Sequence, residues 1–470
     1  MSNKSYSLLT LEDVLAAKEA RQARQCLFRQ RYEKTLVSLT INMPGPVKDG
    51  ALVRRLAAQA ATDVNRCLTV VAEERAYLPT GPEILLAVEQ DGPATKTVAM
   101  ELEEAVPFAR LLDLDVFDRE GRQLSRRDLP GSGERGCLVC GGPALICMRE
   151  RRHTAAAVVV AAESLLDRFA AASTRQLSAV AETVGALAVE AMLFEVTSTP
   201  APGLVDRVNA GAHHDMDFYT FMSSSAALSP ALARCAQAGL NHQGPLERLL
   251  PVLRIIGGEG DAAMLQATAG INTQKGLLFS LGIVAAAAGW CAARQEKTDD
   301  KRLLAVTAAI VQGIVARELK PSLERHAGLT AGERLYREYG VTGIRGEMES
   351  GLPAVREQGL PVLRKALAAG LPVNDALVQT LLALMTCVED TTVMNRHQPE
   401  TMRGWVREQA RQALALGGMY TEPGRAFVLA MDRAFIDAWV SPGGTADMLA
   451  VTWFVQRLTG WFDGNAEKVT

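Results

Sequence analysis

The sequence predicts two domains of different class, an N-terminal α+β domain over residues 1–170 and a C-terminal all-helical domain over 180–470. Three observations lead there. At 470 residues the chain is too long for one hydrophobic core. Up to about residue 165, short apolar runs alternate with charged turns and helical stretches, the texture of a mixed domain. From about 180 the strand signals fade into long Ala/Leu segments at helical spacing, broken by Gly, Pro, Asp and Asn.

The runs LVSLTINM (36–43), EILLAVE (83–89) and LLDLDVFD (111–118) are short, apolar and bounded by turn or charge signals, so they read as strands. Segments 11–35 and 52–74 read as the helices between them. In the second half the helical segments include 182–196, 277–293, 301–318, 374–388, 404–417 and 425–439. Residues 170–179 are small and polar enough to serve as the linker.

Composition narrows the class. Hydrophobic residues at 48% and charged residues at 22% suit a soluble globular protein. A formal net charge of −3 gives no field to hold a polyanion, which argues against nucleic acid as partner. The N-terminus turns charged before an apolar signal-peptide core could form, so a cytoplasmic protein is expected. The run at 277–293, rich in Ala and Gly, reads as a buried helix and not a membrane span. Eight cysteines, unevenly placed, suggest reduced thiols or metal and not a disulfide frame.

Several stretches could carry chemistry. In NMPGPVKDG (42–50), Lys48 on a rigid turn after a strand could meet a phosphate, or simply sit in solvent. Asp113 and Asp115, two apart on a strand, put both carboxylates on one side; such a pair can hold Mg²⁺ in nucleotidyl transfer, or form the wet face of an edge strand. Cys137, Cys140, Cys147 and His153 could close a tetrahedral Zn²⁺ site, although buried free cysteine competes with that reading. Between residues 119 and 152, eight arginines face four acids, a local excess suited to polyphosphate or an acidic partner. Arg126 and Arg127, with Arg110 nearby, are the phosphate candidates.

In the second half, Asp206, Asn209, His213, His214, Asp215 and Asp217 crowd one loop, where carboxylates and an imidazole can bind Mg²⁺ or take a proton. Asn272, Thr273 and Lys275 open an apolar helix whose N-terminus would favour phosphate. Arg345 and Glu347 lie among glycines, and Glu389, Asp390, Asn395 and Arg396 gather at a helix end.

Taken in order, PGPVKD, RLLDLDVFDREGRQLSRRDL and ERGCLVCGGPALICMRERRH make residues 10–165 resemble the apo-citrate lyase phosphoribosyl-dephospho-CoA transferases. The resemblance implies transfer of phosphoribosyl-dephospho-CoA to a serine of the citrate lyase acyl carrier subunit, with pyrophosphate leaving. Likewise PGLVDRVNAGAHHDMDFYTF, GINTQKGLLFSLG, the pattern GxRGExxxGxPxVR and EDT make residues 183–462 resemble the triphosphoribosyl-dephospho-CoA synthases. That family is all-helical and joins ATP to 3′-dephospho-CoA with release of adenine. Its Asp-Thr-Asn and its following turn are replaced here by Asp390-Thr391-Thr392 and Arg396-His397-Gln398-Pro399. On this reading Asp113 and Asp115 hold Mg²⁺ for transfer. Asp206, Asp215 and Asp217 are candidates for metal binding (Mg²⁺ on the last two) or for stabilising the cationic transition state. His213 is a candidate base and Lys275 a triphosphate clamp. An equivalent pair serving malonate decarboxylase, and a non-enzymatic zinc-bearing adaptor, are the alternatives.

Overall fold

Residues 10–129, 133–295, 297–324 and 328–466 are described by a computed structural model of the chain. The chain divides between Ser173 and Thr174 into two units.

The first unit opens with α1 (Leu11–Tyr32), capped by reciprocal bonds between Thr10 and Asp13. There follow β1 (Thr35–Ile41), α2 (Ala51–Cys67), β2 (Val70–Leu78), β3 (Gly81–Val88), α3 (Gly92–Glu104), β4 (Leu112–Phe117) and β5 (Gln123–Leu124). Two helices close the unit, α4 (Ala144–Arg149) and α5 (Ala155–Ala172). The strands form one antiparallel sheet in the order β2-β3-β1-β4-β5. Strand alternation sorts the side chains. Val37, Leu39, Ile84, Leu86, Leu112, Leu114 and Val116 pack on one side with residues of α2, α3 and α5. On the other side Leu36, Leu85 and Ala87 meet Phe28 of α1. Asp113 and Asp115 alternate with the buried leucines of β4, so both lie on the side away from that larger core.

Two expectations about elements are corrected. The helix expected over 52–74 ends at Cys67, and Val70–Leu78 is a strand. Its Val-Val start favours extended backbone, but its charged middle belongs to a half-exposed edge strand and hides the alternation. The helix expected over 301–318 stops at Ile310, before Gly313 turns the chain at φ +75°.

Among its described residues the second unit consists of helices joined by loops, with no strand. It comprises α6 (Ala179–Thr197), α7 (Phe218–Asn241), α8 (Leu249–Ala267), α9 (Lys275–Ala292), α10 (Asp300–Ile310) and α11 (Ala331–Tyr339). Then come α12 (Gly343–Glu349), α13 (Leu360–Ala368), α14 (Val373–Met385) and α15 (Thr391–Arg396). The last three are α16 (Arg407–Ala415), α17 (Glu422–Asp437) and α18 (Gly443–Ala466). Helix α9 is apolar all round because neighbours surround it; Leu281, Val284 and Ala288 are fully buried. It approaches α7 so closely that a Cβ on Gly239 would strike the Ala286 carbonyl, and one on Gly289 the Ala236 carbonyl. Among the described residues α9 is the one helix long and apolar enough to cross a membrane, yet 72% of it is buried within the protein.

Candidate active sites

In the first unit the site forms where β4 loses its partner. Strand β5 pairs only with Val116 and Phe117, which leaves the edge of β4 open around Leu114. Helix α3 satisfies that edge with side chains: Glu103 accepts the Leu114 N–H at 2.9 Å, and Lys96 donates to the Leu114 carbonyl at 3.0 Å. Arg126 locks Glu103 at 2.6 Å and also bonds Glu104. Lys96, Glu103 and Arg126, with Asp113, Asp115, Gln123 and Arg135, line a cavity of about 440 Å³. A second cavity of about 780 Å³, which shares Glu103, Arg126 and Arg135, adds Arg110.

Arg135 bonds the Asp113 carboxylate at 2.7 Å and the carbonyls of Arg110 and Leu112. Gln123 donates to Asp115 at 2.8 Å. Burial, and then the neighbouring Asp113 carboxylate, raise the Asp115 pKa. The two aspartates thus share a cavity with arginines, an arrangement in which acids and phosphate-binding donors meet. Arg127 is exposed and lines neither cavity. Lys48 also lies outside both, its amine donating to the Met43 carbonyl at 2.8 Å. Sequence reasoning missed Lys96 and Glu103, whose signal is a buried pair of charges on an otherwise amphipathic helix.

Beside this site the Cys-rich segment closes on itself. Single ligand atoms of Cys137, Cys140, Cys147 and His153 all lie within 4.8 Å of one another. Burial and the neighbouring thiols push the Cys147 thiol up to about 11. Among the described residues no other group of three or more His, Cys, Asp or Glu comes together this way.

In the second unit the residues of the first motif do different work. Asp206 is buried and braces its loop, accepting the Val208 and Asn209 N–H groups at 2.7 and 2.9 Å and the Thr199 hydroxyl at 2.5 Å. Asn209 bonds Asp432, which also takes the Gly203 N–H. Asp217 caps α7 through Thr220, and Asp215 is exposed, 3.8 Å from His213. Asp206, Asn209, Asp215 and Asp217 do not line the cavity that this loop borders. His213 does. Its Nε2 lies 2.8 Å from the Ser441 hydroxyl, and its Nδ1 lies 3.3 Å from the Arg396 guanidinium. Arginine only donates, so Nδ1 is the acceptor and Nε2 carries the proton. Burial, then Arg396, hold its pKa below the usual histidine value. The imidazole is therefore neutral, with its lone pair engaged.

The cavity, about 330 Å³, opens at the start of α9 and is lined by Asn272, Thr273, Gln274, Lys275 and Glu347 as well as His213. Gln274 is 2% exposed; its Oε1 accepts from Ser224, while its buried Nε2 has no partner. Glu195 and Asp447 reach the same space. Burial raises Glu195 to about 8, and Asp447 is raised by burial and then by Glu195 and Asp390. Asp390 is buried and caps two helices, accepting the Thr392 and Thr445 N–H groups at 2.9 and 2.7 Å. A neighbouring cavity of about 320 Å³ is lined by Arg254, Asp261, Lys275 and Arg345. Lys275 borders both spaces and pairs with Asp261 at 3.3 Å, while Arg345 pairs with Glu318 at 2.7 Å. Glu195 and Asp447 escaped the sequence reading; each sits among apolar residues on a helix that also carries another acid, Glu190 and Asp463 respectively, a signal easily taken for a surface position.

Two separate units each bring acids and cationic or amide donors to a cavity, the equipment of an enzyme site. The family model described as CitX, apo-citrate lyase phosphoribosyl-dephospho-CoA transferase, matches residues 9–169, and that described as CitG, ATP:dephospho-CoA triphosphoribosyl transferase, matches 181–465. A protein named CitXG from Leuconostoc mesenteroides subsp. cremoris is 32% identical over 450 residues, covering 92% of this chain and 95% of its own. Another CitXG, from Haemophilus influenzae, is 33% identical over 468 residues, 97% of each chain. A probable 2-(5''-triphosphoribosyl)-3'-dephosphocoenzyme-A synthase from Malonomonas rubra is 41% identical over 270 residues, 57% of this chain and 85% of its own. The chain belongs to the CitX and CitG families, joined in one polypeptide, and is a transferase of citrate lyase prosthetic-group biosynthesis.

Proposed function

We propose that the protein makes and then attaches the citrate lyase prosthetic group in two steps. The second unit replaces adenine on the ribose C1 of ATP by a ribose hydroxyl of 3′-dephospho-CoA. The first unit then lets a serine of the acyl carrier subunit attack the α-phosphorus of the triphosphoribosyl group, and pyrophosphate leaves.

The observation that carries the first step is Glu195, a buried acid raised to about 8, which lines the same cavity as Gln274 with its unpartnered amide. Breaking the C1–N bond leaves electron density on adenine and positive charge on the ribose. Glu195, protonated at neutral pH, supplies the adenine proton. The Glu195 carboxylate left behind stabilises the oxocarbenium-like ribose and takes up the proton of the incoming hydroxyl as the C1–O bond forms, which restores its starting state. Lys275, with Arg254 and Arg345 in the adjoining cavity, holds the triphosphate at the start of α9.

In the first unit Arg110, Arg126 and Arg135 bind the phosphates and orient the α-phosphorus. Asp113 and Asp115 fit a divalent cation, because half-buried Asp115 lies in one cavity with its like-charged neighbour, and Lys96, Gln123 and Arg21 do not fully offset the burial and that charge. Mg²⁺ held there would neutralise charge on the attacked phosphate. Arg149, Arg151 and Arg152, all exposed, offer an acidic carrier protein a docking face. A cytoplasmic location suits substrates of this kind. Service to malonate decarboxylase is the weaker reading, because the first unit matches the citrate lyase transferase model over 9–169.

Incubation of the purified chain with ATP and dephospho-CoA, followed by mass spectrometry, tests the reading. Adenine and the triphosphoribosyl product should appear together, and added apo-carrier should gain the phosphoribosyl-dephospho-CoA mass. Adenine release at the same rate without dephospho-CoA would make the second unit a nucleosidase and overturn it.

A further inference from the structure

Residues 133–153 fold with little to hold them. Beyond the six residues of α4, the segment has one bridge, between Gly136 and Pro143. Only Leu138 among its large apolar side chains packs on the core, while Met148 is 70% exposed and Leu145 40%. The thiols do the reverse, with Cys137 and Cys147 buried. A segment this poor in core needs a staple.

The geometry supplies one. A zinc tetrahedron with Zn–S arms of about 2.3 Å and a Zn–N arm of about 2.0 Å has ligand–ligand edges of about 3.5–3.8 Å. Cys140 Sγ lies 3.5 Å from Cys147 Sγ and 3.3 Å from His153 Nε2. A disulfide would need sulfurs at about 2.05 Å. The Cys137 sulfur also accepts the Val139 N–H at 3.4 Å, as a thiolate ligand held by backbone dipoles would. Gly141, at φ +75°, lets the chain turn straight after Cys140.

The four groups tie together three pieces: the hairpin around Cys137, helix α4, and the residue just before the Thr154 cap of α5. Two bonds connect that knot to the transferase cavity. Arg110 donates to the Cys137 carbonyl, and the Arg135 carbonyl accepts the Ala144 N–H at 2.9 Å while its guanidinium holds Asp113. We propose that Cys137, Cys140, Cys147 and His153 bind a zinc ion, and that the zinc-pinned hairpin positions Arg135 and Arg110 in the transferase cavity. Four protein ligands leave no open position, so the ion is structural. Binding converts three thiols to thiolates and releases their protons to solvent. Only the positioning half of this inference rests on the transferase reading above.

The test uses the full purified chain. Elemental analysis should find about one zinc per chain, and Cys140→Ser or His153→Ala should lower it to a small fraction. Those variants should raise the KM of transfer for the triphosphoribosyl intermediate about 10- to 100-fold and leave adenine release unchanged. Arg135→Ala should do the same, and combining it with Cys140→Ser should add little further loss, since both remove one arrangement. If the serine variant loses folded structure, zinc stripped from the wild type with a mercurial and then restored should lower and recover transfer instead. Wild-type protein with far less than one zinc and thiols that all react at once would overturn the site. Zinc loss with wild-type KM, or fully additive losses, would overturn the positioning role. A zinc-replete wild type that performs no transfer would count against the transferase reading and leave the site standing.

Discussion

In the first unit the acids of the site meet donors: Asp113 faces Arg135, Asp115 faces Gln123, and Glu103 faces Arg126. In the second unit burial alone raises Glu195, and Asp447 feels further acids in place of a cation. The difference follows from architecture. A sheet edge leaves backbone groups unpaired, so charged side chains must come to satisfy them, and they bring their counter-ions along. Helices satisfy their own backbone, so a cavity between them can be lined with acids that have no structural partner. On the proposed reading the first site neutralises phosphate and the second keeps a proton.

The largest expected effect breaks this contrast from the second side. Glu195→Gln keeps the size of the side chain but removes the acidic proton. Adenine release should fall about 10²- to 10⁴-fold, the usual contribution of a positioned acid, as measured by chromatography of adenine. Transfer of pre-made intermediate should be unchanged. A variant that releases adenine at the wild-type rate would reduce Glu195 to a buried spectator.

Next in size is the first site. Asp113→Asn or Asp115→Asn should slow transfer about 10²- to 10³-fold while adenine release continues. The variants should therefore accumulate the triphosphoribosyl intermediate, visible by mass spectrometry. Near wild-type transfer in both would make the pair merely the outer face of β4.

How much of this was readable beforehand depends on whether a residue's work is local. The Asp113/Asp115 alternation and the Cys-rich cluster were legible, because strand period and ligand spacing are local properties of sequence. Asp206 and Asp217 were legible as conspicuous but not as to purpose: one braces a loop and the other caps α7, and a carboxylate on a polar loop looks the same in either role. His213 appeared as a base until tertiary structure set Arg396 against its lone pair, from 183 residues away. Glu195 and Asp447 went unnoticed because their meeting depends on α6 and α18 arriving at one cavity. The strand at Val70–Leu78 was lost for a simpler reason, since edge strands carry charge where core strands carry alternation.

A third prediction sharpens the comparison through stability. Glu195 has an ordinary value of 4.5 and is raised to about 8 in the folded protein. Between those values the unfolded chain has released the proton and the folded chain still holds it. Stability of the second unit therefore falls as pH rises from about 4.5 to 8 and then levels, by roughly a few kcal/mol from this group. All five tryptophans, Trp290, Trp405, Trp439, Trp453 and Trp461, lie in the second unit, so their fluorescence reports its unfolding within the full chain. Urea titrations should show a shallower pH slope in Glu195→Gln than in wild type. Part of the slope should remain, since burial also raises Asp447 and Glu347. Equal slopes would mean that Glu195 is ionised in the folded protein and cannot serve as the acid.

The smallest expected effect concerns the protein substrate, and it separates charge that positions phosphate from charge that recruits a partner. Arg149, Arg151 and Arg152 are exposed and lie outside both transferase cavities, unlike Arg110, Arg126 and Arg135. Surface charges of this kind act mainly on encounter, so their removal should change association with the carrier and not the chemical step. Arg149→Glu with Arg151→Glu should raise the KM for apo-carrier a few-fold at low salt, with kcat kept and the KM for the small-molecule intermediate untouched. Added salt should erase the difference, because exposed charges are screened within about 10 Å at 0.1 M ionic strength. Arg126→Ala should behave in the opposite way, since its partner Glu103 is buried against β4 and little reached by salt. Its loss should fall on the small-molecule substrate and persist at high salt. If the exposed pair altered kcat instead, these arginines would belong to the phosphate site and the division drawn here between the two sets would fail.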